Sequence, residues 1–231
     1  MQEEALIFLT SHHGIANIWE RQVGRLLKVG LTGGIACGKS MVSAMLAHKG
    51  AKIIDADLLA REAVAPGKPA WQEIRQWLDD SYFLDDGMLD RRRIGTLVFS
   101  SAAARDKLNA IVHPRVIALF QQYSQYIWQK EKGALQIWDV PLLIEVGMDS
   151  YVDRILVVAA REKVQVERLC RRDGLTEAQA LQRIRSQMPV ADKIRVADWV
   201  IYNNGTEEEL RLQVDQFWEK INAIAHGAAD R

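Results

Sequence analysis

Leu26-Leu27-Lys28-Val29-Gly30-Leu31-Thr32 runs directly into Gly33-Gly34-Ile35-Ala36-Cys37-Gly38-Lys39-Ser40, and Met41–His48 continues behind it. The first piece is an apolar run of strand length, the second matches G-x-x-x-x-G-K-[ST], and the third is helix-like in composition. Strand, glycine-rich loop and helix in that order make a phosphate-binding loop. Its glycines let the backbone curl until successive N–H groups converge on one anion, and the helix N-terminus adds the positive end of its dipole. In such a loop Lys39 reaches the β- and γ-phosphates, and the Ser40 hydroxyl ligates Mg²⁺. Gly33, Gly34, Ile35, Ala36, Cys37, Gly38, Lys39, Ser40 and Met41 are therefore the ATP-binding candidates. Cys37 is expected to offer its amide and turn its thiol away.

Four further apolar runs follow: Lys52–Ala56, Leu135–Val140, Arg154–Ala160 and Trp199–Tyr202. They are nearly continuous rather than alternating, as strands covered on both faces must be. Helix-length segments separate them, which predicts βαβ units, a parallel sheet of about five strands and a three-layer α/β P-loop kinase fold. Between Ala56 and Leu135 lies far more chain than one crossover helix needs. Arg61–Leu78, Arg91–Phe99, Ala102–Val112 and Pro114–Glu131 are helix-like within it. Asp85-Asp86-Gly87 supplies a turn, and Pro114 suits a helix's first turn, where a missing N–H costs nothing. Glu162–Pro189, rich in Arg and Gln, reads as a helical hairpin projecting from the core. The expected division is a leader at 1–25, a core at 26–60, 134–160 and 190–225, a helical acceptor-binding insertion at 61–133, and a lid at 161–189.

Composition narrows the field. The 231 residues carry 30 Lys+Arg against 30 Asp+Glu, a formal net charge of zero. A general nucleic-acid binder usually shows a basic excess, so nucleic acid is not an expected partner. Two cysteines, Cys37 and Cys170, are too few and too far apart for a disulfide framework. No apolar stretch approaches the ~20 residues of a membrane span, and the acidic opening Met-Gln-Glu-Glu is unlike a secretory signal. A cytoplasmic enzyme without an obligate protein partner is the expectation. The leader, with His12-His13-Gly14, carries no recognisable chemistry.

A P-loop announces a nucleoside triphosphate but not a reaction. No glycine here has Asp three positions before it, and no Asn or Thr is followed by Lys, so the marks of a Ras-type GTPase are missing. A small kinase remains, for which an acceptor insertion and a lid are the expected additions. The second strand ends Ile53-Ile54-Asp55-Ala56-Asp57, where ligands of open α/β sheets bind. If the strand persists through Asp57, the two carboxylates face opposite sides and do different jobs. Arg168 and Arg172 lie at i and i+4, on one helix face that could meet phosphates. Asp139, ending the third strand, suits either a Walker-B role toward Mg²⁺ or a structural one.

Leu31 to Ser40, followed by Asp55-Ala56-Asp57-Leu58-Leu59-Ala60-Arg61, closely resembles the dephospho-CoA kinase family. The resemblance continues through His113-Pro114, Pro141-Leu142-Leu143-Ile144-Glu145, Gln165-Val166-Glu167-Arg168, Arg172-Asp173 and Asn203-Asn204-Gly205. It implies ATP-dependent phosphorylation of the ribose 3′-hydroxyl of dephospho-CoA, giving CoA and ADP, the last step of coenzyme A biosynthesis. It also implies that Asp57 is the base, that Thr32 and Lys39 are phosphate-side residues, and that Arg168 is the lid arginine. By the same likeness Asp55, Arg61, His113, Leu142 and Glu145 fall on the acceptor side, while Arg172 and Asn204 fall on the ATP side. The family's loop usually reads Gly-Ile-Gly-Ser-Gly-Lys-Ser, so Ala36 and Cys37 depart from it. A Cβ at position 36 requires either φ below zero or mild strain. Two other readings stay open from the residues alone: a kinase for another small acceptor such as a nucleoside, and a non-catalytic ATP-binding regulator.

Overall fold

The computed structural model describes residues 26–225; the expected leader at 1–25 lies outside the described residues. Strands β1 (Lys28–Gly33), β2 (Lys52–Asp55), β3 (Gln136–Asp139), β4 (Arg154–Ala159) and β5 (Trp199–Tyr202) form one sheet in the order β2-β3-β1-β4-β5. Every pairing is parallel. From β1 the chain leaves toward β2, and from β3 it returns to β4 on the other side. The crevice between the carboxyl ends of β1 and β3 is therefore the topological switch point, where such sheets bind ligands.

Side-chain alternation builds a core on each face of the sheet. Val29, Leu31, Ile137, Leu156 and Ile201 pack with α1 (Lys39–His48) and α9 (Glu207–Ala225). Ile54 and Trp138 point the other way, onto α2 (Ala56–Ala63) and α5 (Ala102–Lys130). Phe120 stacks on Trp138 at 4.5 Å between ring centroids, worth about 0.5–1.5 kcal/mol beyond area burial. Ser124 and Gln136 exchange hydrogen bonds at the same seam and satisfy two polar groups in a buried place. The helix that ends the insertion thus also covers the sheet.

Three local expectations are corrected. Arg61–Leu78 is not one helix. It divides into the end of α2 and α3 (Pro69–Trp77), because Pro66-Gly67 interrupts it and Gly67 takes φ 83°. Conversely, Pro114 does not open a helix but lies inside the 29-residue α5. It deprives the Ala110 carbonyl of an N–H partner, a penalty offset by packing: Val112, Val116, Ile117 and Phe120 flank it on the face turned to the core. Finally, β2 stops at Asp55 and α2 starts at once, so the strand does not persist through Asp57. After β4 come α6 (Glu162–Asp173) and α7 (Glu177–Arg185), joined by Gly174 in the left-handed region and a Thr176/Gln179 capping box. This hairpin leans on the loop rather than standing free of it: Val166, Leu169 and Ala180 pack against Ile35 and Ala36. α4 (Arg91–Ser100) and α8 (Val190–Arg195) complete the elements used below. Among the described residues no helix is long and apolar enough to cross a membrane.

Candidate active site

The loop between β1 and α1 forms one wall of a cavity of about 580 Å³. Gly33, Gly34, Ile35, Ala36 and Gly38 line it, and Lys39, Ser40 and Met41 continue the wall into the first turn of α1. Arg168, Arg171 and Arg172 of α6, with Gln187 beyond α7, line it as well. Cys37 faces inward to the protein. Its thiol is buried and accepts from Gln165 Nε2 at 2.7 Å, and burial pushes its pKa up, so it is held as a protonated core group.

Two backbone features set the loop's curl. Gly38 has φ 89°, and a Cβ there would meet Asn203 Nδ2 at 2.1 Å, so only glycine fits. Ala36 has φ 58°, the one non-glycine in the left-handed region among the described residues. Of the two options open at position 36, the chain takes the strained one, at about 1–2 kcal/mol. The apolar contact of Ala36 with the hairpin and the acceptance of Arg168 Nη1 by its carbonyl at 3.3 Å hold it there.

Charges meet at the carboxyl ends of the strands. Lys39 forms an ion pair with Asp139 at the end of β3, whose side chain is 6% exposed. Thr32 is fully buried, and its hydroxyl donates to the Pro141 carbonyl at 2.8 Å. It therefore braces the turn after β3, and it is not on the cavity wall. Arg168 donates through Nη2 to Asn203 Oδ1 at 3.2 Å, while Asn203 Nδ2 donates to the Cys37 carbonyl at 2.9 Å. Arg172 is bound to Asp173, which also takes Arg183; these guanidinium partners hold the Asp173 carboxyl below its ordinary pKa.

A second cavity, of about 480 Å³, opens beside the first. Ala60 and Arg61 of α2, Arg91 and Ile94 of α4, and Leu108 and Val112 of α5 line it. Its lining mixes charged side chains, Asp57, Arg61 and Arg91, with apolar ones, a chamber suited to an amphipathic acceptor. His113, next along α5 from Val112, is half-buried, and desolvation lowers its pKa. Among the described residues, Asp57 is the one on the walls of both cavities. Asp55, directly before α2, caps that helix: its Oδ1 accepts from the Asp57 and Leu58 amides at 2.7 and 3.1 Å. One carboxylate thus positions the turn that presents the other.

Besides Thr32, Cys37, Asp55 and His113, three expected site residues lie off both cavity walls. Leu142 lies exposed in the turn after Pro141, on neither cavity wall. Glu145 accepts from the Met188 amide at 3.3 Å and pairs with Lys193 at 2.7 Å, so it ties the segment after α7 to the core and does not line the second cavity. Asn204 accepts from the Arg161 amide at 2.7 Å, at the start of α6, while its neighbour Asn203 is the residue under the loop. Asp139, for which a role toward Mg²⁺ and a structural role were both open, pairs with Lys39. The residues not anticipated are Asn203, Gln165, Gln187, Lys193 and Arg91. Asn203 and Gln165 stand in stretches that carry the family resemblance, and Asn203 is a polar residue at the carboxyl end of an apolar strand; Gln187, Lys193 and Arg91 stand in no local pattern.

The profile of the family described as CoaE, dephospho-CoA kinase, matches residues 27–209. Dephospho-CoA kinases of Syntrophus aciditrophicus and Thermobifida fusca are 41% and 42% identical over 86% and 87% of the chain, covering 84% and 99% of their own lengths. The solved structure of TT1252 from Thermus thermophilus matches with TM-score 0.71 at 32% identity, over 84% of this chain and 97% of that one. Dephospho-CoA kinase from Campylobacter jejuni, 23% identical, shares the fold at TM-score 0.66, over 84% and 96%. With the P-loop, the hairpin arginines and the acidic residue between two cavities in place, the chain belongs to the dephospho-CoA kinase family.

Proposed function

We propose that the chain transfers the γ-phosphoryl group of ATP to the ribose 3′-hydroxyl of dephospho-CoA, giving CoA and ADP. The observation that carries this reading is Asp57, among the described residues the one shared by the P-loop cavity and the second cavity. A hydroxyl seated in the acceptor cavity meets the transferring phosphorus where the two chambers join. Asp57 accepts the hydroxyl proton as the oxygen bonds to phosphorus, and the bond from phosphorus to the bridging oxygen breaks to release ADP. No covalent intermediate is required, because positioning and fixed charge supply the catalysis.

The donor side provides that charge. Loop amides and Lys39 hold the β- and γ-phosphates, and Arg168, already fixed by Asn203 and the Ala36 carbonyl, faces the transferring group. A planar guanidinium suits equatorial phosphate oxygens better than a point charge does. Arg61 and Arg91 provide charge for the acceptor's diphosphate, and Ile94, Leu108 and Val112 provide apolar surface.

The same reading includes Mg²⁺. Among the described residues no group of three or more His, Cys, Asp or Glu could hold a metal unaided. The Ser40 hydroxyl on the cavity wall and the Asp139 carboxylate, which pairs with Lys39, are hard oxygen donors of the kind that bind Mg²⁺ together with nucleotide phosphates. The ion, when bound, neutralises charge on the β- and γ-phosphates.

The test is ADP release, coupled to a reporter, with dephospho-CoA, with adenosine and with no acceptor. Release dependent on dephospho-CoA is expected. Equal release with adenosine would make the chain a kinase of another acceptor, and no acceptor-dependent release would make it a nucleotide-binding regulator.

A further inference from the structure

Gln187 has no part in the chemistry above, yet it stands on the wall of the P-loop cavity with Asp57, Lys39 and Arg168. Its backbone is pinned on both sides. The Gln187 amide donates to the Ile184 carbonyl at 3.3 Å, and the next amide, of Met188, donates to Glu145. Glu145 in turn pairs with Lys193, whose fully buried ammonium reaches the Gly33 carbonyl at 3.4 Å and the Pro141 carbonyl at 3.2 Å. The segment that carries Gln187 is thus clamped to the root of the loop.

The side chain is oriented as well. The Ile35 amide donates to Gln187 Oε1 at 3.1 Å. A carboxamide has one accepting and one donating end. Because Ile35 supplies a donor, the atom facing it must be the oxygen, so Nε2 with its two N–H groups is the other end. Among the described residues no protein acceptor meets that nitrogen. The phosphoryl group that passes from ATP to the acceptor hydroxyl beside Asp57 crosses the cavity that Gln187 lines.

We propose that Gln187 binds the γ-phosphoryl group of ATP through Nε2, with Oε1 locked by the Ile35 amide, and so adds a lid-borne neutral donor to Lys39 and Arg168. This rests on the kinase reading above and deepens it. A donor fixed in advance on a developing charge costs no reorganisation during transfer. Because ADP lacks the γ-phosphate, the contact discriminates between the two nucleotides.

The experiment is calorimetric binding of ATP and of ADP to wild type, Gln187→Glu and Gln187→Met, without acceptor, alongside turnover with dephospho-CoA. Gln187→Glu keeps an oxygen for the Ile35 amide but replaces the donor with an anionic oxygen. Gln187→Met removes both ends and serves if the first variant does not fold; ADP binding itself certifies a folded site. A hydrogen bond to a charged group supports a loss of about 10- to 100-fold in ATP affinity, with ADP affinity within about twofold. Turnover should fall with it. A ratio of ATP to ADP affinity unchanged from wild type in both variants overturns the proposal and leaves Gln187 as a strut. Failure of wild type to turn over dephospho-CoA while binding ATP would instead overturn the kinase reading.

Discussion

The two cavities that meet at Asp57 are built by different means. The donor cavity is a backbone loop fixed from beneath by buried polar side chains far away in sequence: Asn203 under Cys37, Gln165 on its thiol, and Lys193 under Gly33. The acceptor cavity is an assembly of helix surfaces from α2, α4 and α5, with apolar side chains and arginines. A triphosphate is the same in every turnover and is best met by donors that do not move. A large acceptor, part diphosphate and part organic chain, is met by side-chain surface. Damage to the donor side should therefore strike turnover or folding, whereas damage to the acceptor side should strike acceptor affinity.

Arg168→Ala puts the largest strain on this contrast. It removes charge facing the transferring group and should lower turnover by about 10²–10³-fold, with lysine restoring only part of it, because lysine lacks the fork. An equal loss confined to the KM for dephospho-CoA would move Arg168 to the acceptor side. Lys193→Met tests the underpinning. It leaves Glu145 beside a neutral chain, and since the Glu145 side chain is 18% exposed, the lower end of the range for a broken buried pair applies, about 3 kcal/mol. Urea unfolding reads this directly, and stability within error of wild type would show that the clamp contributes nothing.

Arg61→Ala probes the other side. Loss of one charge-assisted contact should raise the KM for dephospho-CoA about tenfold, with kcat and ATP affinity unchanged; a fall in kcat alone would break the division of labour. The smallest effect is expected of Ala36→Gly. Relief of about 1–2 kcal/mol of left-handed strain is offset by about 0.4–1 kcal/mol of extra unfolded-state entropy. A slight stabilisation should remain in thermal unfolding, and a clear destabilisation would mean that the Ala36 methyl matters more to the hairpin than its strain costs.

The sequence was most legible where chemistry depends on neighbours along the chain. The strand, loop and helix around Gly38-Lys39-Ser40 need consecutive residues, and the five strands declare themselves as apolar runs. The Lys39–Asp139, Lys193–Glu145 and Asn203–Cys37 contacts depend instead on the tertiary fold: the parallel sheet puts the carboxyl ends of β1, β3 and β5 on one side, and α8 packs Lys193 beneath them. A lone Lys193 in a helix of charged residues gives no sign that it will be buried. Asp55 and Asp57 illustrate the same limit: both are visible, but which one caps and which one faces the cavities depends on where β2 ends. Pro114 sits inside α5 because the apolar face of that helix on the sheet outweighs proline's local preference for a first turn.

The central claim is that Asp57 serves the hydroxyl and not the nucleotide. Single-turnover phosphoryl transfer and equilibrium ATP binding in Asp57→Asn test it most directly, since asparagine keeps the shape and cannot accept the proton. Transfer should slow by about 10²–10⁴-fold, with ATP affinity close to wild type. If ATP binding collapsed while the residual complex transferred at the normal rate, Asp57 would belong to the donor side, and the account of the two cavities would be contradicted.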